Sequence, residues 1–215
     1  SARHEIQYGH VERPTHENLS QDRARFEVCA HRFTDLSELD FGVALLNDCK
    51  YGVGVRGGEL RLTLVKSGIR PDPRGDEGDH RFTYALLPHG PFAVQNVVRA
   101  GYELNRPPHA YLGAGVLEPF SLAELDAPNT ILEAVKRPEE GAGLILRIYE
   151  AGKCATRTRL RLPGMIRAWR VNLLEEEQEE LAVTDGTVEL ALHPFEVTSL
   201  RVLRQGEQPA TDGEG

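Results

Sequence analysis

Asp185-Gly186-Thr187-Val188-Glu189-Leu190-Ala191-Leu192 decides the fold class. Val188, Leu190 and Leu192 fall on one side of a period-two ladder and Glu189 and Ala191 on the other, the pattern of a half-buried strand. Asp-Gly stands just before it, between two short apolar runs, which marks a tight hairpin turn. The same alternation recurs in both directions along the chain. Ala155–Leu162 and Glu196–Leu203 repeat it, Glu59–Val65 places Leu60, Leu62 and Leu64 on one face, and Phe26-Glu27-Val28 is a shorter copy. Arg81–Leu86 alternates until Pro88, which is expected to stop it. Phe41–Leu46 is more uniformly apolar, as a strand buried on both faces would be. Glycine turns punctuate these runs at Gly57-Gly58, Glu140-Gly141, Ala151-Gly152 and Pro163-Gly164. One segment, Ala93–Leu104, has helical spacing, and Pro107-Pro108 follows it. The expectation is an all-β chain of antiparallel sheets.

Composition narrows the function classes. The chain has 215 residues, 40% of them hydrophobic, and a formal net charge of −8. That apolar content supports a packed core, and the acidity argues against nucleic acid or an anionic membrane as partner. No apolar run is long enough to span a bilayer. The acidity is uneven: residues 1–115 have a net charge of −1 and residues 116–215 a net charge of −7. A boundary is therefore expected near Pro107–Pro119. A larger sandwich with a helix or long loop inserted near 65–80 would occupy 1–115. A small immunoglobulin-like sandwich would occupy 116–205, and a disordered polar tail 206–215. Three cysteines, Cys29, Cys49 and Cys154, form no Cys-x-x-Cys and are expected as buried thiols in a reducing, cytoplasmic setting. The chain begins Ser1-Ala2-Arg3 without Met, as an added terminus, a cleavage site or the edge of a fragment would.

Motifs for chemistry are sparse. Gly52-Val53-Gly54-Val55-Arg56-Gly57 matches Gly-x-Gly-x-x-Gly, but a strand follows where a dinucleotide site needs a helix, so it reads as a hairpin connection. The acidic loop Pro71–His80 has oxygen ligands without an EF-hand spacing and reads as a solvated loop. Arg157, Arg159 and Arg161 share one strand face, opposite Thr158, Leu160 and Leu162, and read as a solvated sheet face across from acids such as Glu175–Glu177. The eight histidines show no zinc spacing, and neither His-x-Asp nor Gly-x-Ser-x-Gly occurs. Two polar segments stand out. Arg13-Pro14-Thr15-His16 opens a stretch running to Asp22, and Asn47-Asp48-Cys49-Lys50-Tyr51-Gly52 lies where a core strand exits. Strand exits present side chains to ligands, and Asn and Asp also cap turns, so both uses stay open there.

Those segments resemble the C-terminal region of alpha-mannosidases of glycoside hydrolase family 38, nearest the cytosolic and vacuolar branch. The resemblance rests on Gly9–His16, Ala24–Glu38, Gly42–Gly52, Pro71-Asp72-Pro73 and Phe82–Leu86 with Pro88-His89. It continues through Leu132–Lys136, Leu146–Glu150 and Pro194–Val197. Gln21 stands where the family often has Trp. The resemblance implies part of a galactose-mutarotase-like supersandwich followed by the small terminal sandwich. It also implies that the zinc (or other divalent metal) and the nucleophilic carboxylate belong to a catalytic domain elsewhere in the parent chain. No catalytic residue, cofactor or metal ligand is then expected in these 215 residues. In Golgi and lysosomal relatives an Arg on one strand-end turn helps bind sugar, and the matching position here is Tyr51. Asn47, Asp48, Lys50 and Tyr51 follow as candidate substrate-binding residues for mannose-containing glycans, with hydroxyl and ammonium donors suited to sugar hydroxyls. Open sheet edges would allow a homo-oligomer. A free-standing carbohydrate-binding module is the rival reading. An immunoglobulin-like interaction domain over 116–205 is a third, and it leaves Asn47–Gly52 unexplained.

Overall fold

Strand pairing divides the chain into two compact units, Ser1–Tyr111 and Leu112–Gly215. The computed structural model describes residues 1–113, 115 and 118–207. Of the expected tail 206–215, Gly206 and Glu207 close a turn in which Glu207 accepts the Arg204 amide at 2.9 Å, and 208–215 lie outside the described residues.

The first unit contains β1 (Ala2–Ile6), β2 (Gly9–Arg13), α1 (Ser20–Ala24), β3 (Val28–Cys29), β4 (Phe33–Ser37), β5 (Gly42–Asn47), β6 (Gly52–Arg56), β7 (Glu59–Leu62), β8 (Tyr84–His89) and α2 (Val94–Asn105). One sheet runs β2-β1-β4-β5-β8 and a smaller one β3-β6-β7, all antiparallel. Central β5 is almost wholly buried, as its uniform apolar run requires. Leu45 packs with Ala30 and Val53 beneath the small sheet. The apolar stripe Val94, Val97, Val98 and Gly101 of α2 is buried, and the helix lies across β4 and β5. Pro88 does not stop β8. It lies inside that strand, opposite Val43, because β8 is the sheet edge where a missing N–H is tolerated. The Gly-x-Gly-x-x-Gly string is β6 and its turn into β7. A Cβ at Gly54 would stand 2.7 Å from the Phe26 carbonyl oxygen, and Gly57 turns at φ +56°, so the glycines serve close packing and the turn.

The second unit contains β9 (Glu124–Leu125), β10 (Thr130–Lys136), β11 (Leu144–Glu150), β12 (Thr156–Arg161), β13 (Met165–Val171), β14 (Glu177–Leu181), β15 (Thr187–Leu192) and β16 (Val197–Arg204). Its antiparallel sheets are β10-β11-β16-β13-β14 and β15-β12-β9. The inward residues are those the alternation names. Leu160, Leu162, Val188, Leu190 and Leu192 meet Leu146, Ile148, Ala168, Leu200 and Val202 in one core. Each such side chain contributes ~1.5–3 kcal/mol by leaving water. Asp185 and Gly186 turn at φ +49° and +69°, as a two-residue hairpin of primed type needs. Trp169 is buried with Ile145, Val171 and Leu203 in a separate cluster, and the Arg167 guanidinium lies 4.4 Å above its ring.

Two further expectations are overturned. All three cysteines are exposed. In β3 the inward partner is Val28 rather than Cys29, Cys49 lies past the end of β5, and Cys154 sits in the turn after β11. The Arg157, Arg159 and Arg161 row does face solvent, but Glu175–Glu177 are not its acids. Register places Glu189 of β15 opposite Arg159, while Arg159 pairs with Asp126 at 2.8 Å and Arg161 with Glu124 at 3.9 Å; Glu177 belongs to the other sheet.

Candidate functional site

The exit of β5 is a closed turn held from several sides. Asn47 is 1% exposed. Its Nδ2 donates to the His31 carbonyl at 2.6 Å, its Oδ1 accepts the Lys50 amide at 2.8 Å, and its own amide donates to the Arg32 carbonyl at 3.1 Å. Asn105, at the end of α2, donates Nδ2 to the Asn47 carbonyl at 3.0 Å and to the Gly101 carbonyl at 2.8 Å. Asp48 pairs with Thr83 across the loop: its amide donates to the Thr83 carbonyl at 3.1 Å and its Oδ2 accepts the Thr83 amide at 2.9 Å. The Cys49 thiol and the Thr83 amide hold the Asp48 carboxyl below the usual carboxylate range, and the same contact pushes the Cys49 thiol up.

The four candidates therefore divide. Asn47 and Asp48 fix the backbone, and all the polar atoms of the Asn47 side chain are engaged within the turn. Lys50 and Tyr51 are the pair turned outward. The Lys50 ammonium sits 5.0 Å from the Phe82 ring centre, and the Tyr51 ring, 49% exposed, tilts against His31 with centroids 5.3 Å apart. Both line an open groove with Cys29, Cys49 and Glu27. An ammonium and a phenol beside aromatic rings can bind a polyol: donors reach hydroxyls while ring faces cover C–H surfaces. The acidic loop 71–80 folds as turns, and among the described residues no group of three or more His, Cys, Asp or Glu could hold a metal ion. Sequence reading missed Asn105 and Arg32. Nothing in their local sequence signals that they support a turn some 15 to 60 residues away.

A second concavity, about 340 Å³, lies in the first unit, lined by His4, Arg13, Arg25, Phe26 and Arg56 among others. His4 is 2% exposed, and its Nδ1 is 3.1 Å from Thr34 Oγ1 on β4. Burial, with the positive charge of Arg13 on β2, lowers its pKa from the ordinary 6.5 to about 4. The unfolded chain takes up a proton near pH 6.5 that the folded chain refuses until about pH 4. The stability from this residue is thus full above pH 6.5 and is lost as pH falls toward 4. The loss is about 3 kcal/mol. Urea midpoints between pH 7 and 4 should fall less steeply for His4→Gln than for the parent; parallel slopes would exclude this account.

Each unit sets a five-stranded against a three-stranded antiparallel sheet, which defines a β-sandwich, and the first unit carries a groove at a strand exit. The first 74 residues match the model described as "Glycosyl hydrolases family 38 C-terminal domain", and residues 129–200 match "Glycosyl hydrolases family 38 C-terminal beta sandwich domain". The chain belongs to glycosyl hydrolase family 38, as its C-terminal region. It is 44% identical over 214 residues to the Homo sapiens protein named Alpha-mannosidase 2C1, and 42% identical over 216 residues to the Mus musculus protein of that name. Each match covers 95% of this chain, and the chain spans 20% of the length of each relative. A solved family 38 structure from Enterococcus faecalis superposes on 93% of the chain with a TM-score of 0.71 and 20% identity, covering 24% of that structure; it shares the fold.

Proposed function

We propose that the chain is the accessory sandwich region of a cytoplasmic alpha-mannosidase acting on mannose-containing glycans, and that its Asn47–Tyr51 turn completes a sugar site built mainly by a catalytic domain of the same parent chain. The observation behind this is the turn itself. A buried, fully bonded Asn47 holds an ammonium and a phenol outward on a rigid strand end, which is how a scaffold presents donors to a ligand. The names of the relatives supply the substrate class, and their length leaves room for the rest of an enzyme. A retaining glycosidase needs two carboxyls flanking one bond, and a divalent metal such as zinc would hold sugar oxygens; we assign all of these to the remainder of the parent. Three exposed thiols suit a reducing compartment.

The test uses the full-length parent. Tyr51→Phe and Lys50→Ala should each raise KM for a mannoside about 3- to 10-fold, the loss of one hydrogen bond to substrate, with kcat and thermal midpoint little changed. Unchanged KM in both variants would remove the turn from the sugar site. The half-exposed Tyr51 ring against His31 favours one rival, a free-standing carbohydrate-binding module. Titrating the 215-residue chain with mannosides separates the two, because a module binds unaided and an accessory region does not.

A further inference from the structure

The cavity beside His4 has a charge imbalance that its own residues do not resolve. Every acid in its wall has a partner. Glu17 pairs with Arg56 at 2.5 Å, Glu27 with Lys66 at 3.2 Å, and Asp22 Oδ2 with His16 at 3.3 Å and with the Leu19 amide at 3.0 Å. Arg61, also in the wall, is held by both oxygens of Glu59 at 2.8 Å. Two cations are left over. Among the described residues, neither Arg13 nor Arg25 has an ion-pair partner, and both line the concavity. Two uncompensated guanidinium groups line one concavity in a chain of net charge −8, so the local field opposes the global one.

We propose that this cavity is an oxyanion site for a phosphate group, presented either as free phosphate or as the phosphate of a phosphorylated hexose. Guanidinium forks match tetrahedral oxyanions with two parallel N–H donors each, and Arg13 and Arg25 are the two forks not otherwise engaged. His4 is neutral at pH 7, so the two arginines set the charge of the site. The volume, about 340 Å³, exceeds the need of an inorganic ion and lies within the ~300–1,000 Å³ range of small-molecule sites. Phe26 at the wall is 67% exposed and offers a ring face to a sugar attached to the phosphate. The Arg13-Pro14-Thr15-His16 segment thus acquires a role: it supplies one fork at the end of β2.

The readout is binding by the 215-residue chain, independent of any glycosidase activity. Inorganic phosphate, mannose 6-phosphate and mannose are titrated calorimetrically at matched ionic strength. Phosphate should saturate with a dissociation constant below about 1 mM. Arg13→Gln and Arg25→Gln should each weaken it at least tenfold, consistent with losing one charge-assisted pair. Arg25 is exposed, so its variant tests the site even if Arg13→Gln impairs folding. Arg159→Gln, in the second unit, should leave the titration unchanged. Tighter binding of mannose 6-phosphate than of phosphate identifies the sugar-linked source, and equal binding identifies the free ion. Mannose binding as well as either, no saturation by 10 mM phosphate, or indifference to both arginine variants would overturn the proposal.

Discussion

Glu150→Ala is expected to destabilise the second unit by about 3–5 kcal/mol. Glu150 ends β11 and is 0% exposed. Its Oε1 accepts the Gly152 amide at 2.6 Å and Asn129 Nδ2 at 2.7 Å, and its Oε2 accepts the Cys154 amide at 3.2 Å and the Phe195 amide at 3.0 Å. One carboxylate therefore holds two turns, 151–155 and 193–196, whose residues Lys153 and Phe195 sit at φ +61° and +58°. Truncation leaves those amides without their acceptor and a cavity where the carboxylate stood. Glu150→Gln keeps the shape but turns an NH2 group toward N–H donors, so it should cost about 1–3 kcal/mol. The assay is specific, because Trp169 is the only tryptophan of the chain and belongs to the second unit. Its fluorescence through a urea transition reports that unit, and a midpoint equivalent to less than about 1 kcal/mol below the parent would contradict the expectation.

What the sequence makes legible follows from how local each cause is. β12 and β15 are readable because one face is buried and one solvated, which writes a period of two into consecutive residues. The Asp185-Gly186 turn is readable because its dihedrals need residues tolerant of positive φ. α2 is readable from its apolar stripe. β8 is misjudged at Pro88 because a proline reports its own missing N–H but not whether the strand lies at an edge, which the order of five strands decides together. The cysteines are misjudged because an apolar neighbourhood in sequence does not say which side a side chain takes in a two-residue strand. The candidate turn shows the same division. Asn47 and Asp48 are recognisable as turn formers, whereas their partners His31, Thr83 and Asn105 come from β-strand ends and a helix elsewhere in the chain. Glu150 had no local signal either, since Phe195 is 45 residues away.

The support beneath that turn gives the second large effect. Arg32→Ala is expected to destabilise the first unit by about 3–4 kcal/mol, because it strands the buried carboxylate of Glu5. Glu5 Oε1 receives Arg32 Nε at 3.0 Å and Nη2 at 2.8 Å, and Oε2 receives the Arg32 amide at 2.6 Å. The guanidinium also lies 3.7 Å above the Tyr102 ring, so one side chain ties β1 to α2. Truncation leaves Glu5 with a backbone amide alone, and it removes the guanidinium that stacks on Tyr102 of the helix. Arg32→Lys keeps a charge without the fork and should cost less, about 1–2 kcal/mol. The pair is distinguishable from simple packing by a double-mutant cycle. Glu5→Gln with Arg32→Ala should be less destabilised than the sum of the single variants by about 1.5–3 kcal/mol, because neither partner is then left as an unpaired charge. The consequence reaches the candidate site. The Arg32 carbonyl accepts the Asn47 amide, and α2 holds the Asn47 carbonyl through Asn105. Loosening both should speed hydrogen exchange of the Lys50 amide, which is bonded to Asn47 Oδ1, beyond what global destabilisation alone produces. Unaltered local protection with a lowered global midpoint would mean that the turn holds itself without Arg32. Faster exchange at Lys50 would place the geometry of the outward Lys50–Tyr51 pair under the control of a buried ion pair two strands away.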